Sequence, residues 1–326
     1  MKTTKIVAIV MALLLAVSTL AFTSCSGTKQ YTVGICQLDS HPALDAATQG
    51  FKDAIVAALG EEAVKFDEQN AAGSGDTCAT IVSTFVTKRV NLIMANATPA
   101  LAAAQNATDE IPILGTSITE YGVALGIDDF SGTVGTNISG TSDLAPLDEQ
   151  AQMILDLIPT AKTVGMLYCS AEPNSEYQVK KVGEYLEARG ITCKDFAFSG
   201  ADDVQIIAAN AAANCDAIYI PTDNTAATYA EAIYGVVADK KVPIVAGEQG
   251  ICSACGIATL SIDYYDLGWA TGEMAVKILT GQADVSTMAI EYTPADKIQK
   301  KYNKEICQSL NIDTAALEAQ GFVAIE

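Results

Sequence analysis

The sequence predicts an α/β protein of two similar domains, each a parallel sheet covered on both faces by helices. Three observations predict it. Short apolar runs that end in polar turns alternate with amphipathic helical patterns along the whole chain. The runs are near-continuously apolar, as strands buried on both faces must be. The pattern then restarts midway. KTVGMLYCSAEPNS at Lys162 repeats the layout of YTVGICQLDSHPA at Tyr31, DAIYIPTDNTAA at Asp216 repeats NLIMANATPALA at Asn91, and VPIVAGE at Val242 repeats IPILGTS at Ile111. The offsets of 131, 125 and 131 residues are too long for a solenoid and fit two domains of one architecture.

In chain order, Tyr31 to Leu38 reads as a strand, and Pro42 stands where a first helical residue belongs. Leu44, Ala47, Phe51, Ile55 and Leu59 share one helix face, which Gly60 ends. Val64 to Glu68 opens the next strand, and the loop NAAGSGD leads to a helix from Thr77 to Lys88. Asn91 to Ala95 and Ile111 to Gly115 are the third and fourth strands, ending in NATPA and TSITE. Between the halves, Val134 to Ser139 reads as a strand, with a helix opening at Pro146. In the second half, Ala217 to Ile220 is a buried strand that Pro221 stops, and Thr222 to Thr225 offer an N-cap to the next helix. IATLSIDYYDLGWATGEMAVKIL is a strand running into a helix, and Met288 to Tyr292 is a last strand. Three segments therefore connect the domains, which permits a cleft to close while resisting free rotation.

The first residues read as a targeting segment. Lys2 and Lys5 form a basic start, Ile6 to Phe22 an apolar core, and FTSC places small residues before a cysteine. A retained anchor helix is the alternative; both readings place the remainder outside the cytoplasmic membrane. The stretch also resembles the lipobox of bacterial lipoproteins, with Cys25 as the lipidated residue, although Phe22 stands where that pattern has an aliphatic residue. The expected organisation is residues 1–24 as signal peptide and 25–30 as tether. The first lobe is then 31–137 plus 266–287, the second 138–262 plus 288–326, with crossovers near 136–143, 260–266 and 287–293.

Composition narrows the chemistry. A net charge of −20 argues against nucleic acid as a partner, because phosphate binding needs a basic footprint. Arg89 and Arg189 are the only arginines and His41 the only histidine. An arginine clamp and imidazole catalysis therefore have almost no candidates. No G-x-S-x-G, H-E-x-x-H, Walker or dinucleotide motif occurs, and no enzyme activity or cofactor is expected. Of nine cysteines, Cys252 and Cys255 form a lone C-x-x-C; a metal site, disulfides and free buried thiols all remain open.

SHPALD at Ser40, NATPA at Asn96, SGTSDLAP at Ser139, LYCSAEPNS at Leu167, PTDNTAA at Pro221 and IDYYDLG at Ile262 together resemble the substrate-binding lipoproteins of ABC transporters, of the tryptophan/tyrosine type. The resemblance runs across essentially all of the chain after the signal. It implies a type I periplasmic-binding fold: two Rossmann-like lobes with parallel sheets joined by a three-segment hinge. It also implies an aromatic amino acid as ligand, a permease in the membrane as partner and a monomer tethered through Cys25. A sugar-binding protein, a receptor-coupled sensor and an extracellular enzyme are the competing readings.

A zwitterionic ligand needs a counter-charge for its ammonium group and donors for its carboxylate. Asp223 is the first candidate for the ammonium, with Asp143 and Asp263 as second candidates; helix capping is the competing role of Asp223. Asn174 and Ser175, opening a helix, are candidates for the carboxylate, since unpaired N–H groups there attract an anion. Thr98 and Thr116 face them from the first lobe. Ser40, His41, Ser142, Asn224 and Gly247 stand at the same set of turns, each with capping or turn chemistry as the alternative. Glu172 reads equally as a ligand contact or a solvated charge, and Trp269 as core.

Overall fold

The computed structural model describes residues 30–325, and Tyr31–Glu326 form one compact unit. The expected signal peptide, residues 1–24, and the expected lipidation site Cys25 lie outside the described residues. Among those residues no helix is long and apolar enough to cross a membrane.

The first lobe opens with β1 (Tyr31–Gln37), α1 (Pro42–Leu59), β2 (Val64–Asn70), α2 (Gly75–Lys88), β3 (Leu92–Asn96), α3 (Thr98–Ala107), β4 (Ile113–Ile118), α4 (Tyr121–Leu125) and β5 (Ile138–Ser142). The chain then enters the second lobe with α5 (Leu147–Leu157), β6 (Thr163–Cys169), α6 (Pro173–Glu187), β7 (Thr192–Phe198), α7 (Val204–Asn214), β8 (Ala217–Ile220), α8 (Asn224–Thr228), α9 (Ala230–Val237), β9 (Ile244–Ala246), α10 (Gln249–Cys255) and β10 (Ala258–Ser261). It returns through α11 (Tyr264–Leu279) and β11 (Glu291–Tyr292), and ends with β12 (Gln299–Tyr302), α12 (Lys304–Ser309), α13 (Thr314–Ala319) and β13 (Val323–Ala324).

The first sheet has the order β11-β5-β4-β3-β1-β2 and is parallel throughout. The second has the order β13-β12-β10-β9-β8-β6-β7, with β10 and β12 antiparallel. In each sheet the order reverses at the first strand of its lobe, β1 or β6. Such a reversal opens a crevice at the carboxyl ends of the strands.

Sheet membership corrects the expected lobe boundaries. Ile138–Ser142 pairs with β4, so the chain leaves the first lobe after Ser142 and not at residue 138. Glu291–Tyr292 pairs with β5, so residues 288–292 belong to the first sheet as well. The strand expected from Val134 to Ser139 begins at Ile138, because Gly132 and Gly135 hold positive φ and keep that approach irregular.

Helices α1 and α11 lie against each other through glycines. A Cβ on Gly268 would overlap Ala47 O, and one on Gly50 would overlap Tyr265 O. Trp269, expected in the core, is only half-buried on α11. Its Nε1 donates to Glu273 Oε1 at 3.1 Å and its ring lies beside Tyr265. The eight cysteines among the described residues are free thiols, six of them buried.

Candidate functional site

The carboxyl ends of the strands of both lobes face each other. His41 Nε2 lies 3.3 Å from Asn224 Oδ1, and Thr228 Oγ1 donates to Asp39 Oδ2 at 3.0 Å. Each lobe contributes turns that follow its strands. After β1, His41 caps α1 in extended conformation, its ring 7 % exposed. At the end of β3, Asn96 Nδ2 donates to Leu44 O and Thr48 Oγ1, which ties that turn to α1. At the end of β4, Ser117 takes φ 55 where the register with β5 shifts. A non-glycine residue held there is strained and needs its surroundings to enforce it.

The second lobe presents three buried carboxylates, Asp223, Glu172 and Glu248, and the first two serve α8. Asp223 Oδ1 accepts from Ala226 N and Oδ2 from Cys169 N, each at 2.7 Å. Glu172 Oε1 accepts from the backbone and hydroxyl of Thr225, and Oε2 from the backbone and amide of Asn224. Burial first, and then the neighbouring Glu172 charge, push the Asp223 carboxyl up to about 8. Both Asp223 oxygens thus hold backbone N–H groups of their own lobe, the capping role, which is compatible with the ammonium role because each carboxylate oxygen can accept more than one donor. Asp223→Ala is therefore expected to cost about 2–4 kcal/mol of stability, from a lost cap and a stranded buried N–H. Chemical denaturation measures it, and an unchanged midpoint and slope would refute the structural role.

The hinge carries a different carboxylate. Asp143, 3 % exposed, follows β5 at the crossover and accepts from Tyr264 Oη at 2.8 Å through Oδ2. Its Oδ1 is buried and has no hydrogen-bond partner. Burial pushes the carboxyl up to about 6; the Tyr264 hydroxyl and Thr119 beside it offset only part of that, and Glu248 raises it further. Glu248, from the β9–α10 turn, caps α10 through Ile251 N and Gly250 N. Burial raises its own carboxyl, with those amides and the nearby His41 opposing.

Buried polar atoms without a partner cluster at these turns. They are His41 Nδ1, Asn96 Oδ1, Ser117 Oγ, Asp143 Oδ1 and Asn174 Oδ1; Thr259 Oγ1, inside β10, is a sixth away from them. Such groups are rare in folded proteins, and each costs about 1–3 kcal/mol if left so. A cavity of about 430 Å³ lies between α1 and α10, bordered by Pro42, Ala43, Ala46, Glu248, Ile262, Asp263 and Tyr264 and by none of the residues that carry those atoms. Its volume is in the range of small-molecule sites.

Of the residues singled out in the sequence, His41, Asp143, Asn174 and Asn224 meet in this cleft. Others are engaged elsewhere. Ser40 is exposed and donates to Asp45 on α1. Thr116 Oγ1 joins Thr141 and Thr271 in a buried hydroxyl chain behind the cleft. Ser142 Oγ donates to Thr119 O, and Asp263, exposed, caps α11 through Asp266 N while also bordering the cavity between α1 and α10. Gly247 lets β9 pass close to Pro221 and Thr222, where a Cβ would collide. Ser175 is fully buried beside Asp223, and Thr98, 4 % exposed, opens α3. Glu172 is buried and not solvated. Asn96, Ser117 and Glu248 were not singled out, although each stands at a strand end already recognised in NATPA, GTSITE and VAGE.

A family model described as ABC transporter substrate binding protein matches residues 32–317. The chain belongs to this family of substrate-binding proteins. Its fold is that of the type I periplasmic binding proteins. It is 33 % identical over 286 residues to a Tyrosine-binding protein of Clostridioides difficile, covering 87 % of this chain and 82 % of that one. A domain from Streptococcus pneumoniae in complex with L-Trp aligns at a TM-score of 0.85 and 30 % identity, over 91 % of this chain and all of that one. A ligand-free, open substrate-binding protein from Clostridium difficile aligns over the same shares at 34 % identity, but at a TM-score of only 0.68. Similarity in shape runs opposite to similarity in sequence. In this substrate-binding protein, hydrogen bonds span the cleft between His41 and Asn224 and between Thr228 and Asp39.

Proposed function

We propose that this protein is the extracytoplasmic receptor of an ABC importer, held to the membrane by lipid on Cys25, and that it closes on one aromatic amino acid and delivers it to a permease. The observation that carries the reading is the set of unpartnered atoms. Asp143 Oδ1, Asn96 Oδ1 and Asn174 Oδ1 are three acceptors, one of them a carboxylate oxygen, and an ammonium group has three N–H donors. Ser117 Oγ and the N-terminal turn of α3, which opens at Thr98, are donors for a carboxylate without any arginine. The cavity wall of Pro42, Ala43, Ala46 and Ile262 suits an apolar ring. The tyrosine-binding relative and the L-Trp complex support the same ligand class.

Ligand screening by thermal shift tests it. Tyrosine, tryptophan or phenylalanine at about a hundred times its dissociation constant is expected to stabilise the protein by about 2.7 kcal/mol, and monosaccharides by nothing measurable. Stabilisation by monosaccharides alone would sink the amino-acid reading.

A further inference from the structure

We propose that Glu172 acts through Asn224 to hold His41 in the Nε2–H tautomer, so that Nδ1 is an acceptor kept for a donor on the bound ligand. The proposal rests on the cleft being the ligand site. The Asn224 amide can be turned only one way. Its nitrogen lies 2.7 Å from Glu172 Oε2, which the backbone N of Asn224 also approaches at 3.0 Å and Asn174 Nδ2 at 3.4 Å. The other oxygen, Oε1, receives Thr225 N and Thr225 Oγ1, both at 2.8 Å. Five donors converge on Glu172, the demand of an ionised carboxylate, which accepts and never donates. The group of Asn224 facing it must be the NH₂.

Asn224 Oδ1 then faces His41 Nε2 at 3.3 Å. An amide oxygen only accepts, so Nε2 carries the proton, and in neutral imidazole the lone pair falls on Nδ1. Nδ1 is buried and unpartnered. The titratable groups near this ring are Glu248 from the β9–α10 turn, which interacts with it electrostatically, and Asp39 and Asp45, which flank His41 in the chain and accept from Thr228 and Gln37. All three are acidic, so none donates to Nδ1 as a carboxylate. The shared chemistry on offer is an N–H or O–H of the ligand, either its ammonium or a polar group on its ring. Glu172 is a positioning residue in this arrangement, since it reaches the ligand only through Asn224 and His41.

The chain contains a single histidine, so its imidazole nitrogen resonances need no assignment by mutation. In full-length protein labelled with ¹⁵N-histidine, the couplings to the ring protons are expected to place the proton on Nε2 and an unprotonated nitrogen at Nδ1, without ligand, at neutral pH. A proton on Nδ1, or on both nitrogens, would overturn the proposal. Glu172→Gln lets the new amide meet Asn224 Oδ1 and the Asn224 side chain turn over, so the tautomer balance is expected to move toward Nδ1–H. Should that variant not fold, Asn224→Ala removes the same lock and is expected to mix the tautomers; an unchanged spectrum in either would refute the relay.

Tyrosine, tryptophan and phenylalanine then locate the donor. A shift of the Nδ1 resonance by all three assigns it to the ammonium. A shift by tyrosine and tryptophan only assigns it to the ring, with phenylalanine bound on the order of tenfold more weakly. An Nδ1 resonance that no stabilising ligand moves would refute the acceptor role. If no amino acid stabilises the protein, the functional reading fails while the tautomer of the free protein still decides the relay.

Discussion

Asp143→Asn is expected to weaken amino-acid binding by roughly thirtyfold to several thousandfold, the equivalent of about 2–5 kcal/mol for losing one side of a buried charge pair. The substitution keeps shape and the neighbouring Tyr264 but removes the charge that an ammonium would meet at the unpartnered Oδ1. Calorimetric titration measures it, and equal affinities would remove Asp143 from the site. The pH dependence carries a second signature. A carboxyl pushed up to about 6 holds its proton below that value. Affinity should therefore fall about tenfold per pH unit as pH drops below about 6, and Asp143→Asn should flatten that slope. Stability of the ligand-free protein runs the other way. The folded state binds this proton more tightly than the unfolded chain, so stability is full below about pH 4 and is lost as pH rises toward 6. Above that, Asp143→Asn should be more stable than wild type, by on the order of 3 kcal/mol.

Gly268→Ala is expected to cost about 3 kcal/mol or more, seen as a melting temperature lower by roughly 6–10 °C. An added methyl would overlap Ala47 O, a backbone atom inside α1 that no side-chain rotation can move aside. The helices must separate, and Gly50 and Gly272 share the same contact. Gly183→Ala is the internal comparison. It lies within α6 with open space where the Cβ would stand, and the substitution should be neutral or stabilising by up to about 1 kcal/mol. Equal melting temperatures for wild type and Gly268→Ala would refute the close-packing account.

The fold was largely legible in the sequence because buried parallel strands announce themselves. LIMAN and AIYI are buried at every position, and Pro42, Gly60 and Pro146 mark the helix ends where the pattern places them. The edges were not legible. β7, TCKDFAF, is mostly exposed or half-exposed and has no apolar run to betray it. β11 has two residues and both are exposed, so only its pairing with β5 assigns it to a lobe. At the site, residue types at strand-end turns were readable, but their vacant lone pairs were not. Asp223 and Asp143 look alike in sequence, each an aspartate after a strand. What separates them is that Cys169 N and Ala226 N, on two different segments, occupy both oxygens of the first, while the Tyr264 hydroxyl bonds one oxygen of the second and leaves Oδ1 without a partner. That difference is long-range geometry, beyond any local pattern. Ser117 was missed for a related reason, because its left-handed backbone arises from the irregular register of β4 with β5.

The plugging of α8 by its own lobe has a further consequence. A helix N-terminus ordinarily attracts anions, but here Glu172 and Asp223 already occupy it and Glu248 occupies that of α10. On the second wall of the cleft the N-termini of α8 and α10 are thus already satisfied by carboxylates of the same lobe, while that of α6 carries no side-chain cap. Solutes bearing a second carboxylate or a phosphate would bring like charge against those carboxylates in a water-poor space. Aspartate, glutamate and sugar phosphates are therefore expected to bind more weakly than neutral amino acids, which calorimetric titration measures.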